Sequence, residues 1–371
     1  MTNNSFAART TPEWNANERP YHGHRREAVF LMALGVALAL TILAALGAGA
    51  VTMGPGSVAA IALDAAGITA PWEFSESQRT ILAAIRAPRV TLGILVGAAL
   101  GVAGAAMQGL FRNPLADPAL VGVSSGAALA AVAMIVLGAT MFESWSAWFG
   151  LYALPLAAFL GGVVATLVVY HFANVGGRTV VATMLLAGIA VNAIAMALTG
   201  ALTYIADDAQ LRTLTFWSMG SLGGASWARV GVVAAFLVIP LALIPRYARA
   251  LNALLLGESE AQHLGYDLER LKRHIVLLVA LCVGAAVAMT GIIGFVGLVV
   301  PHLVRLAIGP DHRALIPASA LLGATLLLLA DLLARTALSP AELPIGIVTA
   351  AVGGPFFLWL LGRRRQRGGW W

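Results

Sequence analysis

Apolar positions in this chain form long runs that short polar stretches interrupt, and the lengths of the runs predict membrane-spanning helices. About 20 apolar residues cross a bilayer, and about 18 uncharged ones suffice to nominate a span. One uncharged run around residue 290 is too long for one span and too short for two, so we predict a full helix and a short, broken one there. The runs predict ten spans: 28–51, 90–111, 119–138, 151–172, 179–205, 230–245, 274–290, 294–308, 314–334 and 344–362.

The composition supports this pattern. Of the 371 residues, 60% are hydrophobic and 11% are charged, whereas soluble proteins carry about 25% charged and about 45–50% apolar residues. These proportions exclude a soluble enzyme, a disordered chain and a nucleic-acid-binding protein. We predict an all-α polytopic membrane protein with a polar N-terminal tail (1–27), a ten-span membrane domain (28–362) that includes a polar loop at about 246–273, and a basic C-terminal tail (363–371).

The distribution of basic residues predicts the orientation of the spans. With ten spans, 17 of the 23 Lys and Arg residues fall on the side of the N-terminus and six on the other side. Cytoplasmic loops carry the excess of Lys and Arg in membrane proteins. We therefore expect both termini and the loop at about 246–273 to be cytoplasmic.

A weak internal repeat predicts a transporter. Five spans separate its two copies, so the second copy, spans 7–10, runs opposite to the first, spans 2–5. Inverted repeats with Gly- or Pro-interrupted helices are typical of transporters. Close helix packing by small residues would explain the glycines equally well, but not the paired prolines. The matching positions, at a constant offset of 187, are Gly97-Ala98-Ala99 with Gly284-Ala285-Ala286, Gly104 with Gly291, Pro114 with Pro301, and Gly122 with Gly309.

The chain has no evident means of using energy by itself. Lys272 is its only lysine and does not follow a glycine-rich loop, so no phosphate-binding P-loop exists. Ion-coupled transporters place acidic residues within their spans, and here Asp331 stands nearly alone, spaced for an ion pair with Arg335 or, alternatively, for a proton relay. No nucleophile–base or metal-ligand constellation indicates an enzyme. We expect a separate ATPase to supply the energy.

The polar loop contains a candidate surface for that ATPase. Residues 254–265 predict two short helical turns on either side of Gly257, ending at Gly265. Leu254, Leu255, Leu256 and Leu264 would need a partner to cover them, or the segment lies on the membrane surface as an amphipathic turn.

Several motifs, in order between residues 86 and 364, resemble those of one family. They are RAPR (86–89), GLFRNPLADP (109–118), GVSSGA (122–127), LGE with LG (256–265), GFVGLVVPH (294–302), DHR (311–313) and AELPIG (341–346). The chain is similar to the permease subunits of type II ABC importers for vitamin B12, ferric siderophores and haem. The resemblance implies a bacterial inner-membrane homodimer in the lipid bilayer, two cytoplasmic ATPase subunits that use ATP and Mg, a periplasmic binding protein, and no cofactor or metal held by this chain.

The resemblance also implies roles for particular residues. A second gate position aligns loosely to Val181 and Ala182, where this chain lacks the family's small polar pair. The implied positions are Arg86, Arg89 and Arg335 for docking of the binding protein; Gly257, Glu258, Ala261, Leu264 and Gly265 for ATPase coupling; Asn113 and Leu115 for a cytoplasmic gate; and Pro114, Pro118, Gly294, Gly297 and Pro301 for pathway hinges.

The substrate is a further expectation from the resemblance. Residues 107–126 look most like the haem permeases, so we expect import of haem by alternating access, with a ferric siderophore or cobalamin as the alternatives. An ion-coupled secondary transporter is the alternative from a different class. Uptake would then survive loss of the ATPase and collapse with the ion gradient.

Overall fold

The fold is almost entirely helical. The computed structural model describes residues 21–49, 51–68, 71–339 and 341–366, so residues 1–20 of the predicted N-terminal tail lie outside it. The helices are α1 (Tyr21–Gly47), α2 (Pro55–Ala65), α3 (Glu76–Thr80), α4 (Ala87–Leu110), α5 (Val123–Leu137), α6 (Glu143–Phe149), α7 (Ala153–Ala173), α8 (Val181–Tyr204), α9 (Asp208–Ser218), α10 (Trp227–Leu243), α11 (Ala248–Leu256), α12 (Glu258–His263), α13 (Leu268–Thr290), α14 (Val296–Ile308), α15 (His312–Thr336) and α16 (Ile345–Gln366).

Ten of these segments match the predicted spans. Seven helices in the described ranges are long and apolar enough to cross a membrane. The shorter apolar helices α5, α14 and α16 lie in sequence at the three remaining predicted spans. Helix α14 is the short, broken span of the prediction, since the chain is not helical between Gly291 and Phe295. The protein is therefore a polytopic all-α membrane protein with ten spans.

The second span starts much earlier than predicted. A π-helical turn, Ile81–Arg86, joins α3 to α4, so one continuous apolar helix runs over Glu76–Leu110 rather than 90–111. The prediction placed Arg86 and Arg89 in a loop because charged residues are costly inside a membrane. The structure places both in the helix, where backbone carbonyls accept hydrogen bonds from Arg86 and two carboxylates accept them from Arg89.

The sixth span extends beyond its predicted end at residue 245. The helical segment covers Trp227–Leu256, passing through a 3₁₀ turn at Ile244–Tyr247 into α11. Helix α11 therefore connects the span directly to α12, in the predicted polar loop.

Glycines allow α4 and α15 to pack closely and antiparallel. Gly93, Gly97 and Gly101 recur every four residues on one face of α4. A Cβ on Gly97 would collide with the backbone of Gly323 on α15, and one on Gly101 with the carbonyl of Ser319. Small residues at such spacing let two helix backbones approach within a membrane. Helix α4 is consequently the most buried of the long spans, with 78% of its most apolar window inside the protein.

The arrangement of helices agrees with the inverted repeat. Span 2 (α4) packs along span 9 (α15), and span 7 (α13) packs along span 4 (α7), as two inverted copies require. The matched glycines lie at these two equivalent helix contacts: Gly97 faces α15, and Gly284 faces Phe159 of α7. The matched prolines do not, since Pro114 lies in a loop and Pro301 within α14.

One small hairpin departs from the helical pattern. Strands β1 (Asn174–Val175) and β2 (Arg178–Thr179) pair antiparallel between α7 and α8, with Asn174 opposite Thr179. Gly176 and Gly177 form its turn with φ of +60° and +81°. Two consecutive residues at positive φ are what the tightest hairpin turns require.

Candidate functional site

Functional side chains gather at two ends of the helical bundle. The arginine end is defined by Arg86, Arg89 and Arg335, and the coupling end by Asn113 and the helices α11 and α12. Helix α4 runs between them, since Arg89 lies in its first turn and the loop with Asn113 follows its last residue.

Arg89 is the centre of the arginine end. Its Nε donates to both carboxylate oxygens of Asp331, at 3.0 and 3.2 Å, while Nη1 and Nη2 each donate to one oxygen of Glu342 at 2.9 Å. Asp331 lies in α15 and is 1% exposed, whereas Glu342 precedes α16 and its side chain is 47% exposed. The planar guanidinium suits such paired contacts with carboxylates. Arg89 thereby joins three segments of the chain.

Arg86 and Arg335 bind the end of α1. Nη1 of Arg86 donates to the carbonyls of Leu46 and Gly47 at 2.7 and 2.8 Å, and its Nη2 donates to the carbonyl of Val51. Arg335 donates to the carbonyl of Ala45. The last carbonyls of a helix lack partners within the helix and carry partial negative charge, so cations are favourable there.

The predicted pair of Asp331 and Arg335 is present but is not the main contact of either residue. Arg335 Nε lies 3.6 Å from Asp331 Oδ2, farther than Arg89. The structure brings all three predicted docking arginines together, and each has partners within the chain. Arg86 and Arg89 are buried, and the side chain of Arg335 is 7% exposed. Their role in docking stays a prediction.

Glu342 is the accessible carboxylate of this end and lies outside the spans. The hydrogen bonds from Arg89 lower the pKa of Glu342 below its usual range. The pair is therefore charged on both sides at neutral pH. Sequence reasoning missed Glu342, although it belongs to the AELPIG motif.

At the coupling end, the loop after α4 is held by its own asparagine. Oδ1 of Asn113 accepts from the backbone N–H of Leu115 at 2.9 Å, while its own N–H donates to the carbonyl of Gln108 at 3.1 Å. Pro118 then begins a short 3₁₀ turn, Pro118–Val121, which packs against α8 at Gly188. The predicted gate loop thus contacts α8, the helix that begins at Val181.

Two of the predicted hinge residues, Gly297 and Pro118, meet beside this loop. A Cβ on Gly297 would lie 3.2 Å from Cδ of Pro118, and Gly104 of α4 faces the carbonyl of Gly297 directly. Nε2 of Gln108 donates to the carbonyl of Leu298 at 3.0 Å. Pro301 is buried within α14, and Gly294 lies exposed in the non-helical segment before it.

The coupling segment has the predicted form of two helical turns around a glycine. Gly257 separates α11 from α12 with φ of +135°, and Gly265 follows α12 with φ of +86°. Ala261 is fully buried, whereas Leu264 is 61% exposed. Of the leucines expected to need a partner, Leu254 is covered by the chain itself and Leu256 is exposed. An apolar surface remains for a partner.

Asn252 ties this segment to α15. Its Nδ2 donates to Asp311 Oδ1 at 2.6 Å, and its Oδ1 accepts from the backbone N–H of His312 at 2.9 Å. His312 is fully buried against Gly109 near the end of α4. Asn252 and His312 therefore connect α11 with the base of α4 through direct contacts.

Lys272 ties the segment to α13 and to the hairpin. Its Nζ donates to the carbonyl of Thr179 at 2.8 Å, to Glu258 at 2.9 Å and to Glu269 at 3.4 Å. The sequence singled out Lys272 only as the sole lysine. Its contacts join residues 14 and 93 positions away, which no local pattern reveals.

In the described parts of the chain, no group of three or more His, Cys, Asp and Glu residues could hold a metal ion. Cys282 is a buried free thiol. The two ends thus offer ion pairs, hydrogen bonds and packing contacts, which suit docking and the transmission of movement.

Comparison with known proteins agrees with this architecture. The chain is 50% identical over 284 residues to the hemin transport system permease HmuU of Yersinia pestis, covering 76% of this chain and 83% of that one. It is 41% identical over 338 residues to the vitamin B12 import permease BtuC of Escherichia coli O157:H7, covering 91% and 96%. A solved metal-chelate type ABC transporter in an inward-facing conformation superposes with a TM-score of 0.78 at 31% identity, covering 91% and 99%.

These similarities and the ten-span fold define the class of the protein as a permease subunit of type II ABC importers. Residues 37–363 match the model of the FecCD transport family. The chain belongs to that family.

Proposed function

We propose that this chain is the permease of an ATP-driven importer that moves haem across the bacterial inner membrane into the cytoplasm. The observation that carries the proposal is the 50% identity to a hemin permease along 76% of the chain. Haem is a large, flat and mostly apolar ligand, and the ten spans predicted from the sequence contain only two charged residues, Arg305 and Asp331.

The same proposal includes the partners. Two copies of the chain form the pathway, two ATPase subunits bind the coupling end in the cytoplasm, and a periplasmic binding protein docks on the arginine end. The excess of basic residues on the side of the coupling end supports this orientation, with 17 of 23 on that side in the ten-span topology. The exposed Leu256 and Leu264 support an ATPase contact.

Transport would proceed by alternating access. Closure of the ATPase dimer pushes α12, and the contacts of Asn252 and Lys272 pass the displacement to α15, α13 and the start of α8. The loop with Asn113 and Leu115 lies where this displacement arrives and acts as the cytoplasmic gate. Gly294 lies in the break before α14 and Gly297 in the first turn of α14, where they would permit the bundle to bend.

The test is haemin uptake into proteoliposomes that hold this chain with the ATPase and the binding protein encoded beside its gene. We expect uptake that requires ATP and stops with a hydrolysis-dead ATPase. Uptake that persists with the dead ATPase and collapses with the ion gradient would establish the ion-coupled alternative instead. The mass of the purified complex in detergent tests for two copies of each membrane and ATPase subunit.

Cobalamin is the second candidate, favoured by a separate observation. Vitamin B12 and cobalamin permeases match longer parts of the chain than the hemin permease does, with 41% identity over 91% of the chain and 44% over 80%. The same vesicles therefore receive cyanocobalamin and a ferric siderophore in parallel with haemin. Uptake of cyanocobalamin without uptake of haemin would reject haem and keep the importer.

A further inference from the structure

Three segments of the coupling end meet at the ammonium of Lys272. They are α12 through Glu258, the start of α13 through Glu269 and Lys272 itself, and the end of the hairpin through Thr179. Only the last of these contacts involves the backbone, and Thr179 is two residues before α8 begins. Lys272 therefore links the predicted ATPase-binding helix to the base of α8.

The contacts of Lys272 use its full bonding capacity. An ammonium group has three donors and no acceptor, and three oxygens lie within 3.4 Å of Nζ. The side chain is 3% exposed, so water cannot replace a lost partner easily. Bonds that involve a charged group are about twice as strong as neutral ones. The arrangement is thus suited to hold the three segments at fixed positions.

Thr179 is held on both sides of its backbone. Its carbonyl accepts from Lys272, and its N–H donates to Glu269 Oε2 at 2.7 Å. The next residue, Val180, precedes α8 without a capping side chain and bonds back to the carbonyl of Ala173. The orientation of the first turn of α8 consequently depends on where Lys272 and Glu269 hold Thr179.

We propose that Lys272 is a positioning residue for transport, which passes displacement of α12 to the first turn of α8. This inference rests on the proposed importer function, and it names a connection through which movement of the ATPase reaches α8. A lysine that served only to stabilise the fold would affect hydrolysis and transport equally. Loss of a lysine that positions α8 lowers the number of substrate molecules transported per ATP hydrolysed.

The experiment measures substrate molecules transported per ATP hydrolysed by the full complex in proteoliposomes. Haemin or cyanocobalamin is the probe, whichever the wild type takes up. We expect Lys272→Met to lower this ratio at least about tenfold, the factor that corresponds to losing one hydrogen bond to a charged group, while the ATPase still co-purifies and hydrolyses ATP. Lys272→Arg keeps the charge and the donors and should recover most of the ratio.

Arg270→Met is the matched control. Arg270 lies two positions away on the same helix, its side chain is 73% exposed, and it pairs with Asp267 three positions earlier. The control removes an equal charge without breaking a link between segments, so its ratio should equal that of the wild type. An equal loss in both variants, or an unchanged ratio in Lys272→Met, would overturn the inference.

Glu258→Gln keeps the inference testable if Lys272→Met does not assemble. It should lower the ratio in the same direction, and the variant with both substitutions, where it assembles, should be no worse than Lys272→Met alone, because both remove one link. A normal ratio in Glu258→Gln would overturn the link through α12. Uptake by the wild-type complex is measured separately, and a wild-type complex that shows no ATP-dependent uptake would overturn the proposed function rather than the role of Lys272.

Discussion

Arg89 and Glu342 face each other through two parallel hydrogen bonds, each 2.9 Å long, at the border between a buried ion pair and solvent. Behind them, Asp331 accepts from Nε of the same guanidinium. An incoming carboxylate could reach Arg89 only by replacing Glu342, because Asp331 is enclosed by the protein. Docking of a binding protein on Arg89 would therefore be a competition between carboxylates.

Removing the charge of Glu342 tests this competition. Glu342→Gln weakens the internal pair and leaves Asp331 in place, so we expect the binding protein to bind about twofold to tenfold more tightly, in line with the loss of about 0.5–1.5 kcal/mol of internal hydrogen bonding. Surface plasmon resonance on the complex in nanodiscs measures the affinity. Glu76→Gln is the control, since Glu76 is 80% exposed and lies 3.9 Å from Arg79. Weaker binding by Glu342→Gln would mean that Glu342 itself contacts the partner.

The pair of Arg89 and Glu342 should survive mild acid. The pKa of Glu342 is lower in the folded protein than in the unfolded chain, so its stabilising effect is complete above the unfolded pKa. The effect is lost only as pH falls through the lower folded pKa. We expect the affinity of the binding protein for Glu342→Gln, relative to wild type, to be the same at about pH 7 and about pH 6, above the usual carboxyl range. A ratio that changes between these values would show that another group controls the competition.

The contact of Gly104 with Gly297 leaves no space for a side chain at position 104. A Cβ on Gly104 would collide with the carbonyl of Gly297, and neither backbone can move without shifting α4 or α14. We expect Gly104→Ala to cost about 1–3 kcal/mol, as overpacking does in other cores, and to lower the thermal midpoint in detergent. Gly200→Ala is the matched control, because no atom lies within 4 Å of its Cβ position. An equal midpoint for both variants would contradict the close packing.

The backbone conformation at position 257 requires a glycine. Its φ of +135° with ψ of +156° is nearly exclusive to glycine. We expect Gly257→Ala to misplace α12 and to reduce the amount of ATPase that co-purifies with the permease, at a cost of about 1–3 kcal/mol. Gly265→Asn provides the comparison, since its φ of +86° is closer to the left-handed region that asparagine tolerates and its surroundings are open. Normal recovery of the ATPase with Gly257→Ala would exclude this role.

The spans and the break at Gly257 were predictable because both are local. Uncharged runs give the number of spans, and a glycine between two apolar turns marks a helix boundary. The start of the second span at Glu76 was not predictable in this way. Charged residues are typical of loops, so the sequence placed Arg86 and Arg89 outside the span. The carboxylates that bind Arg89, Asp331 and Glu342, are more than 240 positions away, and no local pattern indicates them.

In the candidate site, too, features set by local sequence were predictable, and contacts between distant segments were not. Short motifs define the turn at Gly257 and the loop with Asn113, so the local structure of both could be predicted, whereas their roles in coupling and gating stay predictions. Lys272, Glu269 and Asn252 connect segments that are distant in sequence, and only folding brings them together. The docking role of Arg86 stays a prediction, and the sequence did not reveal that carbonyls at the end of α1 accept its hydrogen bonds.

The separation between Arg89 and Asp331 also affects how the protein is made. The two residues are 242 positions apart, and ribosomes add about 5–20 residues per second. Arg89 is thus synthesised about 10–50 s before the carboxylate that neutralises it. During that interval the second span must keep its arginines near the membrane surface or against the translocation machinery. The most buried of the long spans is thus among the earliest made, and its contacts with α15 can form only after the ninth span has been synthesised.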